Sequence, residues 1–332
     1  MPEKDDHLSN EVSMSAKLEE NGLKASVKSR TVSAVDRLLG AAIDLPTAWL
    51  EGKAEGIRER PALLRNKETT SLPAPSDKPL VLTHEDKIKD AALARETRKV
   101  LNKREVLEHA VEDLAKTTNA DQNEGQSEDQ NLDEDWLNYF EEYAEKASTE
   151  RVRKLWGRVL AGEIRTPKTY SLRALRFLSE LDTHTALLFE RLSRKRLYDW
   201  AITEIEKLSG QNLLDAMELE EAGLLQSAST GLTQTLNADD NGKILIMSYG
   251  YLLQLKPKNE KTCKLPLIKI SKIGQELLTL LDPPPAKENL TTYLDHLIDK
   301  NEITWGILAQ ITGTSGDKVK FNILRSWEMP KT

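Results

Sequence analysis

The sequence predicts a mainly α protein: a multi-helix bundle with a small winged-helix-like α/β unit near the C-terminus. Three observations carry this expectation. Apolar residues recur at three- and four-residue spacing through most of the first two thirds of the chain. Prolines and unopposed acidic residues break that pattern at 66–79 and 117–132. After Gly210 the period shifts toward strand-like runs, 244–255 and 263–270, rich in isoleucine, leucine and tyrosine.

The elements follow in chain order. Residues 1–30 are polar and charged, lack the apolar stretch of a secretory signal, and are expected to be disordered. An amphipathic helical segment is expected at 31–65, with Val35, Leu38, Leu39, Ala42, Ile43, Leu45 and Trp49 as its stripe and Pro46 as a kink. A proline-rich linker at 66–79 precedes a long charged helix at 80–116, capped by Thr83 with Asp86. Leu93, Val100, Leu107 and Leu114 repeat every seven residues there, but Thr97 and Arg104 interrupt the seam, so docking on the chain's own core is favoured over a coiled coil.

An acidic, solvated linker is expected at 117–132. Residues 117–135 hold seven acidic side chains, no basic one and a single large apolar residue, Leu132. A central bundle at 133–209 then groups Trp136, Leu137, Phe140, Tyr143 and Ala144; Val152, Leu155, Trp156, Val159 and Leu160; Leu172, Leu175, Leu178 and Leu181; and Leu188, Phe189 and Leu192. The winged-helix-like unit spans 210–282. Within it, LLDAMELEEAGLL reads as a helix ending at Gly223, and 244–255 with 263–270 as a hairpin. Pro283–Pro285 open a C-terminal extension, 283–332.

Composition narrows the chemistry. One cysteine, Cys263, excludes an internal disulfide and a multi-cysteine metal site, and the five histidines are scattered. No metal, cofactor or catalytic residue is expected. Glu163, Glu180 and Asp182 lack a histidine or nucleophile at a recognisable spacing, and Gly157 and Gly162 lack the Gly-Lys-Ser/Thr ending of a phosphate loop, so Gly162 is read as a helix-packing glycine. No run of eighteen apolar residues occurs, so a cytoplasmic location is expected.

Charge distribution is the one chemical signal. The chain has a net charge of −7, yet residues 151–196 carry twelve basic and four acidic side chains, a local balance of +8. Arg151, Lys154 and Arg158 share a helical face; with Arg165, Arg173 and Arg176 they are candidate phosphate contacts, as are Lys256, Lys258 and Lys261 of the expected hairpin. The competing reading is intramolecular pairing with acidic segments. Asp215, Glu218, Glu220 and Glu221, on the helix that would read a major groove, disfavour sequence-specific DNA recognition and leave only nonspecific nucleic-acid contact.

The motifs LWGRVLAGEI, TYSLRALRFLSEL, LEEAGLLQ and ISKIGQELL, with VSAVDRLLGAAIDLPTAWLEGKAEGIRER upstream, resemble a bacterial domain-of-unknown-function family, number 2806, over roughly 31–282. The tryptophan helix with Leu-Ala-Gly-Glu has a more distant likeness to Abi-alpha type abortive-infection proteins, which implies a phage-defence setting. The resemblance brings no activity and no catalytic residues. The expected function is a non-enzymatic interaction protein whose partner is another protein. The alternatives are a nucleic-acid-binding protein using residues 151–196 and the lysine-rich hairpin 256–272, and a peripheral membrane effector acting through helix 32–50. That helix has few basic residues beside Arg37, which argues against membrane contact. The sequence leaves the oligomeric state open.

Overall fold

A computed structural model describes residues 25–39, 84–116, 131–203, 210–258, 261–315 and 318–330. It divides into two compact units, Met1–Leu175 and Arg176–Thr332.

The first unit is helical in its described residues. Helix α1 is Ala25–Leu39, α2 is His84–Lys116, α3 is Glu134–Glu145 and α4 is Glu150–Arg165; α5, Leu172–Glu180, crosses the boundary between units. Helix α1 starts inside the stretch expected to be disordered. It buries Val27, Thr31, Ala34 and Leu38, spaced by threes and fours, while Val35 is only half-buried. The rest of the expected segment, from Ala42 to Trp49 and on to residue 65, lies outside the described residues, as do the linker 66–79, Thr83 and residues 117–130.

Helix α2 is mostly exposed over 88–96 and presents a buried face from Thr97 onward, through Val106, Leu107, Ala110, Val111 and Leu114. Two of those positions, Val106 and Val111, are not on the expected heptad, because α2 meets several partners along its length and not one parallel helix. Asp133 caps α3 by accepting from the Trp136 N–H at 2.9 Å, and Thr149 caps α4.

The second unit corrects the mainly α expectation. It holds two antiparallel sheets, of five and four strands, with helices packed among them, so the protein is mixed α/β. Helix α6 (Thr183–Ser193) leads into β1 (Arg196–Tyr198) and β2 (Ala201–Thr203). After α7 (Gln211–Glu221) come β3 (Leu225–Gln226), β4 (Leu232–Asn237), β5 (Ile244–Ser248), β6 (Tyr251–Pro257) and β7 (Thr262–Ile270). Helix α8 (Lys272–Leu278), α9 (Ala286–Asp299) and the long hairpin β8 (Ile303–Ser315) and β9 (Lys318–Glu328) complete it.

Strand β7 is the hub of the five-stranded sheet. It pairs with β2 along one side and with β3 and β4 along the other, and β1 pairs with β2. The four-stranded sheet runs β5-β6-β8-β9.

The expected hairpin is therefore replaced. ILIMSYGYLLQL is itself a hairpin, turning at Tyr249 and Gly250, both with positive φ, so that Ser248 faces Tyr251. Strand β6 then continues into the four-stranded sheet with β8, while β7 belongs to the other sheet. The expected C-terminal extension supplies α9 and two of that sheet's four strands. Leu290, Tyr293, Leu294 and Leu297 of α9 pack with Ile246, Leu253 and Leu255 of one sheet and Leu265 and Leu267 of the other in one apolar core.

Candidate functional site

Helix α4 carries the most distinctive sequence, and nearly every position of it has a structural task. Trp156 is buried, stacked on Tyr143 at 5.5 Å between ring centres and edge-on to Phe140 at 5.7 Å. Phe140 in turn stacks on Trp136, whose indole N–H donates to the Tyr170 carbonyl at 2.8 Å. One aromatic cluster thus joins α3, α4 and the loop after α4.

The two glycines mark close approaches. A Cβ at Gly157 would stand 2.6 Å from the His109 Cβ and 3.0 Å from both the Ala110 nitrogen and the Val106 oxygen, so α4 crosses α2 here backbone to backbone. At Gly162 the obstacle is the Tyr170 ring, 2.9 Å away. The packing role expected of Gly162 is filled by that ring, and the helix–helix crossing falls on Gly157.

Glu163 is buried and accepts the backbone N–H groups of Lys168 and of Tyr170, the latter at 3.0 Å. It holds the 166–171 loop, in which Lys168 has a positive φ of 70°. At the C-terminal end of α4, Arg30 from α1 donates to the carbonyls of Ile164 at 2.7 Å and Arg165 at 3.2 Å. A buried guanidinium thereby satisfies carbonyls that the last turn leaves open. The residues imagined as paired carboxylates are dispersed: Glu180 pairs with Arg176 at 3.1 Å, and Asp182 caps α6 through the Thr185 N–H and hydroxyl, which hold its carboxyl below the usual range.

The basic segment divides between these posts and the surface. Arg153 Nε lies 2.7 Å from Glu105, and Arg165 donates to the Asp113 carboxylate at 2.7 Å and to its carbonyl, both acids being on α2. Lys154 reaches Glu150 at 3.0 Å, and Glu150 is held below its ordinary pKa chiefly by that bond. Arg191 pairs with buried Asp215. Arg196 is buried and donates to Ser193, Asp282 and, at 2.9 Å, the Tyr249 hydroxyl, which locks the β5–β6 turn.

Arg151, Lys154 and Arg158 are exposed together on α4, and Arg173 is exposed on α5. Lys256, Lys258 and Lys261 are exposed too, but they do not share a hairpin. Lys256 belongs to β6, Lys258 follows it, and Lys261 precedes β7 in the other sheet.

Residues 92–197 match the model of a family described as a protein of unknown function, DUF2806. The matched segment is about a third of the chain. It takes in most of α2, the whole of α3–α6 and the start of β1, so the aromatic cluster, both glycines and Glu163 all fall inside it. The match is narrower than the 31–282 resemblance: α1 and nearly all of the β structure lie outside. No curated protein and no solved structure matches the chain. Among the described residues, no helix is long and apolar enough to cross a membrane, and no cluster of three or more potential metal ligands occurs.

Sequence reasoning missed Arg30 and the crossing at Gly157. A glycine in the interior of an otherwise strong helix is itself a packing signal, since it costs about 1 kcal/mol relative to alanine where nothing demands it. Arg30 carries no such mark, because its partners are backbone carbonyls 134 and 135 residues away.

Proposed function

We propose that the protein is a non-enzymatic interaction protein whose DUF2806 segment serves as a rigid helical scaffold and whose partner is another protein. The observation that carries this reading is the placement of its charges. Arg30, Arg153, Arg165, Glu163 and Arg196 are committed to helix ends, inter-helix pairs and turns. The +8 segment draws acids from α2 and α7 onto itself, which removes much of the excess that a phosphate backbone would need. The cytoplasm as its place of action and phage defence as its setting belong to the same proposal, the latter resting on the likeness of the tryptophan helix.

A second reading, nonspecific nucleic-acid contact, is favoured by one feature: Arg151, Lys154 and Arg158 face solvent along one side of α4. The experiment is a comparative capture with the full chain and its Arg151→Gln/Lys154→Gln/Arg158→Gln variant as baits, each with and without nuclease. A defined protein that is retained after nuclease and binds again as a purified component supports the leading reading. Recovery that nuclease abolishes refutes it.

A further inference from the structure

Helices α6 and α7 of the second unit lie side by side and run antiparallel, as two cross-links show. His184 meets Glu218 at 3.2 Å, and Arg191 pairs with Asp215 near the opposite ends. Beside these links the two helices leave three large aliphatic side chains open: Leu187 is 56% exposed, Leu214 58% and Met217 43%. Large aliphatic side chains this open, grouped on neighbouring helices, mark a contact surface more than a solvated one.

The rim of the patch has two signs. On α6, His184, Leu187, Arg191 and Arg194 recur at three- and four-residue spacing, so the basic rim follows the same stripe as Leu187. On α7, Leu214, Met217, Glu218 and Glu221 do the same with acids. Arg194 and Glu221 are exposed and stand at diagonally opposite ends of the patch. A uniformly acidic or basic partner would match one rim and repel the other. A two-fold axis crossing the patch, perpendicular to the line from Arg194 to Glu221, places each rim of one copy on the opposite rim of the next, which is the self-complementarity an isologous contact requires.

We propose that the α6–α7 face joins two copies of this chain, with Leu187, Leu214 and Met217 covering their counterparts and Arg194 of each copy meeting Glu221 of the other. This goes beyond the function proposed above and has its own readout, self-association of the purified chain.

The test is sedimentation velocity of the full chain at concentrations up to about 100 µM, the range in which a small interface declares itself. The expected species has twice the chain mass. Leu214→Glu, and separately Met217→Ser, should raise the dissociation constant at least about tenfold while circular dichroism stays unchanged, because both side chains are exposed. Arg194→Glu and Glu221→Arg should each weaken the dimer, and the double swap should restore it to within about threefold of the original. A monomer throughout the range overturns the proposal. So does a dimer that Leu214→Glu and Met217→Ser leave intact, or a double swap no tighter than its singles.

Discussion

Replacing Gly157 with alanine tests how α4 is seated. On an open helix face the change would stabilise the protein by up to about 1 kcal/mol, because glycine is a poor helix former. Here the added methyl would stand 2.6 Å from the His109 Cβ and 3.0 Å from two backbone atoms of α2. No side-chain rotation relieves a contact with a backbone nitrogen and a backbone oxygen, so α4 must move away from α2 by several tenths of an ångström. That shift loosens the buried contacts of Val106 and Ala110 against α4 and strains the Arg153–Glu105 and Arg165–Asp113 pairs that flank the crossing. Overpacking of this kind costs about 1–3 kcal/mol, which exceeds the propensity gain. The expected outcome is a net loss of about 1–2 kcal/mol in urea unfolding followed by circular dichroism, with an unchanged slope against denaturant. A variant as stable as the original, or more so, would mean that the two helices do not cross at Gly157, and the account of the LWGRVLAGEI motif would be wrong.

Three more outcomes are expected. Trp156→Ala removes a buried ring from the cluster with Tyr143 and Phe140 and should cost about 3–5 kcal/mol; a loss below about 1 kcal/mol in the same unfolding assay would place Trp156 outside the core. Arg30→Leu leaves the Ile164 and Arg165 carbonyls without this donor and should cost about 1–3 kcal/mol, with hydrogen exchange accelerating in the last turn of α4; unchanged exchange there would refute the capping role. Burial pushes the Cys263 thiol up to about 11 and, with Asp199, the Tyr249 phenol up to about 12. A raised folded-state value makes their neutral forms part of the fold, so this stability is complete below about pH 9 and is lost as pH climbs through 11 and 12. Unfolding midpoints measured from pH 7 to 12 should fall over that upper range, most through Cys263 because Tyr249 is partly open to solvent, and a flat profile would contradict the burial of Cys263.

The helical half was legible where its signals are local. Trp136, Phe140, Trp156, Val159 and Leu160 announce their burial by spacing, and α7 ends where Gly223, with φ of 84°, terminates it. The β half was not. Strands β1 and β2 are three residues each, too short to show alternation, and ILIMSYGYLLQL hides a two-residue turn inside an apolar run. Strand β8 buries Ile307, Leu308 and Ala309 in succession, so it lacks the period of a one-sided strand.

The charge excess of the candidate site was legible as a sum, but its cancellation was not. Arg165 finds Asp113 across 52 residues of chain, and Arg191 finds Asp215 across 24, and nothing in the local sequence links either pair. Glu163 shows the same limit from the other side: a carboxylate in a basic segment reads as a surface ion, yet its burial beside the 166–171 loop makes it a clamp.

The claim that the basic segment serves the fold and not a phosphate backbone is tested most directly by fluorescence anisotropy of labelled duplex and single-stranded probes, titrated with the full chain at low salt. Low salt is the condition most favourable to counterion release. No binding is expected up to tens of micromolar protein, a range that would reveal even weak nonspecific affinity. Micromolar binding would contradict it if the Arg151→Gln/Lys154→Gln/Arg158→Gln variant weakened that binding and flattened its salt slope by about three.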